Sequence, residues 1–327
     1  MLSIAFSGCG GSSSNPFTPP SNGGNGTLAG TVVGYFDRAP IGGATVLLGT
    51  QATVADAQGR FVFTSVPAAG GAVITANLTG HVFRGVGVSL SQAAAGVTID
   101  VIRETPPFDL TFYREFARNA FESPLQLQTL KPWTRAPNFY IKLVVEGATT
   151  PPMRVSDQVV NGLRELFARS IPELSGGKFQ MGAFETGDAT RPAQDGWVNV
   201  TFHENLGAAF ARSSVGGNSG TMDIRYGMVS SPTTNPNNCV TPEIAMADHE
   251  ITHTMGYWHT QNTLADTLSG AGCPGARPDH VKFHASVVYT RPVGNRDPDV
   301  DAAPSTGVLA PGAGLSPVVS CSFGKSE

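Results

Sequence analysis

Charge is scarce in this chain of 327 residues: Asp, Glu, Lys and Arg together make up 14% of it, and they sum to a net charge of −4. That balance gives no electrostatic reason to expect nucleic acid or an anionic membrane surface as a partner, since both are bound through clustered positive charge. Long apolar runs are missing too; none approaches the roughly 20 residues that a membrane-spanning helix needs. Extended disorder is excluded from the other side, because 40% of the residues are hydrophobic and can build a core. Histidine is rare, with 7 in the chain. Cysteine is rarer, with 4, and no methionine follows Met255. Glycine and proline are plentiful, 39 and 24 residues, which favours turn-rich β structure and flexible connectors over long helices. The length allows two domains, each with its own core.

The first segment, residues 1–26, reads as a leader and tether. Ser7, Gly8 and Cys9 follow a short apolar stretch and resemble the end of a bacterial lipoprotein signal, although Phe6 stands where a small aliphatic residue is usual. The resemblance implies a lipid anchor on Cys9 and a location at the cell surface or outside the cell, with the Gly/Ser/Asn/Pro stretch as spacer. Cys239, Cys273 and Cys321 would then face an oxidising compartment. A bridge between Cys239 and Cys273 would clamp the segment between them, but spacing alone does not fix connectivity.

Residues 27–103 alternate short Val/Thr/Ile/Phe-rich runs with turn residues and predict an antiparallel β-sandwich of about seven strands. The stretches GTVVG, APIGGATVLLG and ATVADAQGRFVFTSVPAAG resemble the carboxypeptidase regulatory-like domain, a transthyretin-type sandwich. Gly30, Gly43, Ala44, Val46, Asp56, Gly59, Phe61 and Phe63 carry the match. It implies an accessory module, with a turn at Asp56–Gly59 leading into a strand whose aromatic residues face the core. Residues 104–137 form a connector with a short amphipathic helix, packed on the next domain through Phe112, Phe116 and Trp133. From residue 138 to 327 the pattern is α/β. A strand, FYIKLVV, precedes a helix over SDQVVNGLRELFARSIPEL, and strand-like KFQMGAF, WVNVTFH and TMDIRYGMV come after it. Thr241-Pro242-Glu243 then starts another helix.

That helix carries HEITHTMGYWH, residues 249–259. His249 and His253, four apart, project from one helical face and can both offer a ring nitrogen to one ion. Gly256 can take the positive φ of the sharp turn that brings His259 back. Three protein ligands leave a fourth position open, the arrangement of catalytic rather than structural zinc. Zinc brings the pKa of a bound water down to about 7, and Glu250 is placed to take its proton and hand it to a leaving amine. The stretch fits HExxHxxGxxH, and with Ile251, Met255 and Tyr257 at the bulky apolar positions it resembles the metzincin clan of zinc proteases. The resemblance implies His249, His253 and His259 as zinc ligands and Glu250 as general base. It also implies a methionine in a turn beneath the metal. Here the corresponding segment is HASVVYTRPVGNRDPD, with Val287 or Val288 in that place. Tyr289 is a candidate catalytic residue, as an extra ligand or a stabiliser of the tetrahedral intermediate; a core tyrosine fits the position equally.

Other signals are weaker. His280 and His284 are four apart without a third ligand, and His203-Glu204 lacks a partner histidine. Asp297, Asp299 and Asp301 alternate as calcium ligands could, or as a solvated loop. No cysteine-switch propeptide motif occurs. The alternating residues of TMDIRYGMV could form an edge strand that pairs with an extended substrate, and packing against a core accounts for the same pattern. The fold class expected is multidomain: an all-β transthyretin-like sandwich followed by an α/β metzincin-like domain. The expected activity is zinc-dependent hydrolysis of protein or peptide substrates. The alternative from another class is a surface adhesin or binding protein that keeps a zinc-binding but inactive cleft.

Overall fold

A computed structural model describes residues 26–67, 70–90, 96–147, 151–228, 241–261, 276–304 and 318–321. It is mixed α/β, with thirteen strands and four helices among the described residues. Cys9, Cys239 and Cys273 lie outside them, and with them the proposed lipid anchor and the Cys239–Cys273 bridge.

Seven strands come first: β1 (Gly26–Gly34), β2 (Thr45–Leu48), β3 (Gln51–Val54), β4 (Arg60–Val66), β5 (Gly71–Asn77), β6 (Arg84–Ser89) and β7 (Val97–Val101). They form two sheets, ordered β4-β1-β7 and β3-β2-β5-β6. Inward residues of both, among them Leu28, Phe61, Ile99, Val46 and Ile74, share one core. The strand period explains this: along β4 buried and exposed residues alternate, so Phe61 and Phe63 point inward together. Asp56 closes the preceding turn, its carboxylate accepting from the backbone N–H of Gln58 at 2.9 Å and of Arg60 at 2.8 Å. One pairing departs from the antiparallel expectation, since β1 and β7 run parallel. Strands that far apart in sequence need no hairpin, so direction is set by the intervening chain and not by a turn.

Helix α1 (Leu110–Arg118) starts at Asp109, whose side chain accepts from the N–H groups of Thr111 and Phe112. A second core begins here, with Phe116 and Trp133 deeply buried and Phe112 packed against it. The sheet of this part joins β8 (Asn138–Lys142), β9 (Phe184–Gly187), β10 (Trp197–His203), β11 (Ala211–Ser214), β12 (Gly220–Arg225) and β13 (Val318–Cys321) in the order β13-β11-β12-β10-β8-β9. β9 starts later than KFQMGAF suggests: Ala183 gives its N–H to the Asn138 side chain at 2.7 Å, and ladder pairing begins at Phe184. Along β10, Val198, Val200 and Phe202 are buried while the residues between are only partly so. Helix α2 (Asp157–Leu174), capped by Ser156, meets the sheet at β8, where Phe167 stacks on Phe139 with ring centroids 4.3 Å apart.

Helix α3 (Pro242–Thr254) is buried along its whole length. It packs against α2 at Gly162, where a Cβ would stand 2.9 Å from Ile244 Cδ1, so a larger residue there would push the helices apart. Helix α4 (Asp279–Thr290) completes the layer. The expected substrate-pairing edge is not an edge: β12 is flanked by β10 and β11. Both rows of its backbone groups are therefore taken, and an added strand has nothing to bond.

The alternating aspartates do not form a calcium site. Asp297 accepts from Nε and Nη2 of Arg114 at 2.8 and 2.9 Å, Asp299 accepts from Arg291 at 2.7 Å, and Asp301 accepts from Arg84 at 2.8 Å. Guanidinium groups already neutralise these carboxylates, and an added cation would meet their positive charge. The stretch also lies along β6, with Gly85 and Val300 bridged and Gly85 N–H bonded to Asp299 O at 2.9 Å. The seven-strand unit and the chain after α4 thus share a buried ionic network.

Candidate metal centre

Burying α3 requires a partner for each of its polar groups. Glu243 accepts from the Gly227 N–H at 2.9 Å, and Asp248 is paired with fully buried Arg277 at 2.6 Å. Glu250 accepts from Ser213 Oγ of β11 at 2.6 Å, and the same hydroxyl reaches the Glu250 carbonyl at 3.1 Å. The helix begins as expected at Thr241 with Pro242 following, although the Thr241 hydroxyl makes no cap bond.

The helix stops at Met255, and Gly256 has φ +105. A Cβ there would lie 2.9 Å from the Lys131 carbonyl, so both conformation and space call for glycine. The turn is fixed by Trp133, whose ring N–H donates to Thr254 O at 2.7 Å, and by Tyr257, whose hydroxyl donates to Leu174 O at 2.6 Å. His259 is thereby returned to the two helical histidines. Its Nε2 lies 3.0 Å from that of His249 and 3.1 Å from that of His253, and the last two are 3.1 Å apart.

Three nitrogens at such distances need a reason. His253 Nδ1 faces the Tyr257 carbonyl at 2.8 Å and His259 Nδ1 faces Glu122 Oε1 at 2.6 Å. Both partners only accept, so each Nδ1 carries a proton, and in the neutral ring Nε2 keeps its lone pair. Lone pairs converging at this separation repel unless a cation lies among them. A triangle of these dimensions has a circumradius of about 1.8 Å, close to the zinc–nitrogen bond of about 2.0–2.1 Å, so the three nitrogens could be bonded to one ion together. The residues therefore fit a metal ion, and among the described residues this is the one His/Cys/Asp/Glu group with metal-holding geometry.

Burial keeps the site ready for a cation. His249 is shifted well below the usual imidazole pKa by burial, and then by His253, His259 and Arg277. Burial and then the neighbouring His259 bring His253 down to about 3. Hydrogen bonding from His259 outweighs burial at Glu122 and holds its carboxyl below the usual range.

Tyr289 lies in α4, fully enclosed, with its hydroxyl donating to the Met255 carbonyl at 2.9 Å. Val287 and Val288, expected in a turn, are buried in the last turns of the same helix. His284 links α4 to α1: its Nδ1 donates to the His280 carbonyl at 2.7 Å and its Nε2 accepts from the Asp109 N–H at 3.0 Å. Both nitrogens are used, which leaves none for a metal. His203 is held by Asp223 at 2.9 Å. Ser213, Glu122 and Arg277 are legible only in the structure, since they sit 37, 137 and 29 positions from their partners. No local spacing marks them.

No family model matches the chain, and no curated protein sequence does. Among solved structures, a mutant of the major pilin subunit of Bacillus cereus is similar in part, 15% identical over 24% of this chain and 30% of the pilin chain. The TM-score is 0.20, at which the likeness carries no argument.

Proposed function

We propose that this chain is a zinc-dependent metalloendopeptidase of metzincin type. Its seven-strand unit would be an accessory sandwich, and its substrates proteins or peptides outside the cell. The observation that carries the proposal is the convergence of three imidazole Nε2 atoms at 3.0–3.1 Å, two of them with Nδ1 tied to acceptors. The HExxHxxGxxH spacing and the order strand, helix, strands, motif helix support it further.

His249, His253 and His259 would hold the ion. When bound, zinc supplies a Lewis acid that acidifies water and polarises a carbonyl. Glu250 takes up the proton from the attacking water and delivers it to the leaving amine. Ser213 holds the Glu250 carboxylate from β11, so the base is oriented before substrate arrives.

The test compares wild type with Glu250→Ala for metal content by mass spectrometry and for casein or gelatin cleavage. About one zinc per chain is expected in both proteins, with cleavage in the wild type alone. Zinc without cleavage across a broad peptide library would favour a binding protein, and absence of zinc from both would overturn the metal assignment.

A further inference from the structure

The third ligand is held from outside the helix that carries the other two. His249 and His253 inherit their spacing from α3, whereas His259 follows the turn in an irregular stretch. Besides the Tyr257 hydroxyl on Leu174 O and His253 Nδ1 on Tyr257 O, four contacts from residues 115–122 steady that stretch. Phe116 stacks on Tyr257 with ring centroids 4.0 Å apart, and its carbonyl accepts from the Trp258 N–H at 2.7 Å. Glu115 accepts from the Gln261 N–H at 3.0 Å, and Glu122 accepts from His259 Nδ1 at 2.6 Å.

Glu122 is itself set in place by its backbone. Its loop is closed at the base by Gln128 N–H on Arg118 O at 2.8 Å and braced by Ser123 N–H on Asn119 O at 2.9 Å. Arg118 is fully buried and anchored to Asn295 Oδ1 at 2.6 Å. The carboxylate meets the side of the imidazole opposite Nε2, so it acts on the metal through the ring and not as a ligand. A carboxylate there fixes the tautomer, stops ring rotation and makes Nε2 more basic.

We propose that Glu122 is the positioning residue of the third metal ligand, and that the metal centre is bipartite, completed by the segment preceding β8. The inference rests on the metal-centre reading above. Its test uses the full chain as wild type, Glu122→Ala and Glu122→Gln. Zinc affinity is measured by chelator competition, the visible spectrum is recorded after cobalt substitution, and the melting temperature of each metal-free protein is taken. Glu122→Ala should lose about 10–100-fold in zinc affinity and show an altered cobalt spectrum, with the metal-free melting temperature unchanged. Glu122→Gln, whose amide oxygen still accepts from Nδ1, should recover part of the affinity. Wild-type affinity and spectrum in Glu122→Ala would overturn the inference while leaving the metal centre standing. So would an affinity loss matched by a fall in metal-free stability that glutamine does not repair. A wild type that binds neither zinc nor cobalt would overturn the metal centre and this inference together.

Discussion

Replacing Tyr289 by phenylalanine removes one oxygen and leaves the ring. That oxygen donates to the Met255 carbonyl at 2.9 Å and lies 3.5 Å from the Trp133 nitrogen, in a residue only 2% exposed. Burial pushes the phenol well above its ordinary pKa, so it remains a protonated donor. The ring keeps its neighbours Phe179 and Tyr257, so no cavity is expected beyond the missing oxygen. What is lost is the donor to the Met255 carbonyl, together with the longer bond in which the hydroxyl accepts from the Trp133 N–H, at a cost of about 1–2 kcal/mol. For a unit of this size that lowers the melting temperature by about 2–8 °C. A tyrosine that stabilised the transition state would behave differently, because losing such a donor costs about 10²–10³ in kcat. The assay is thermal unfolding beside kcat and KM on a peptide substrate. We expect Tyr289→Phe to melt earlier and to keep kcat within about tenfold, less than the loss of a transition-state donor would cause. An unchanged melting temperature with a hundredfold fall in kcat would refute the reasoning and return Tyr289 to the chemistry.

Arg277→Met leaves Asp248 charged and buried beside His249, so urea unfolding should show a loss of about 3–5 kcal/mol; a change below about 1 kcal/mol, the value of an exposed pair, would contradict the buried pair. Trp133→Phe removes the donor on Thr254 O and should cost about 1–3 kcal/mol, read in the same way. Asp100 is pushed up by burial, but Arg291 and Arg84 outweigh this and hold its pKa below the ordinary value. A depressed folded pKa gives stability that is present above the unfolded pKa, about 3.9, and lost as pH falls through the folded one. Acid titration below about pH 4 should therefore destabilise wild type more steeply than Asp100→Asn, and parallel curves would count against this. Free zinc at about a thousand times its dissociation constant should stabilise the fold by about 4 kcal/mol; a chelator should reverse that shift in wild type and leave His253→Ala unmoved.

Local periodicity determined a good deal by itself. The four-residue spacing of His249 and His253 has one meaning on a helix, and Gly256 marks where that helix must turn. The alternation in RFVFTSV placed Phe61 and Phe63 on one face before any sheet was known. Both follow from the geometry of a single element, which neighbouring residues set among themselves. Tertiary structure decided which strands became neighbours: β12 has the pattern of a half-exposed edge yet lies inside its sheet, and β1 found β7 in parallel. It also decided which distant group answers each buried charge. Nothing near Glu250 in the chain names Ser213, nothing near His259 names Glu122, and Asp299 and Asp301 resemble cation ligands until Arg291 and Arg84 are seen against them. A buried polar group must be paired, but its chemistry states only that a partner is needed. The packing of remote segments selects the partner.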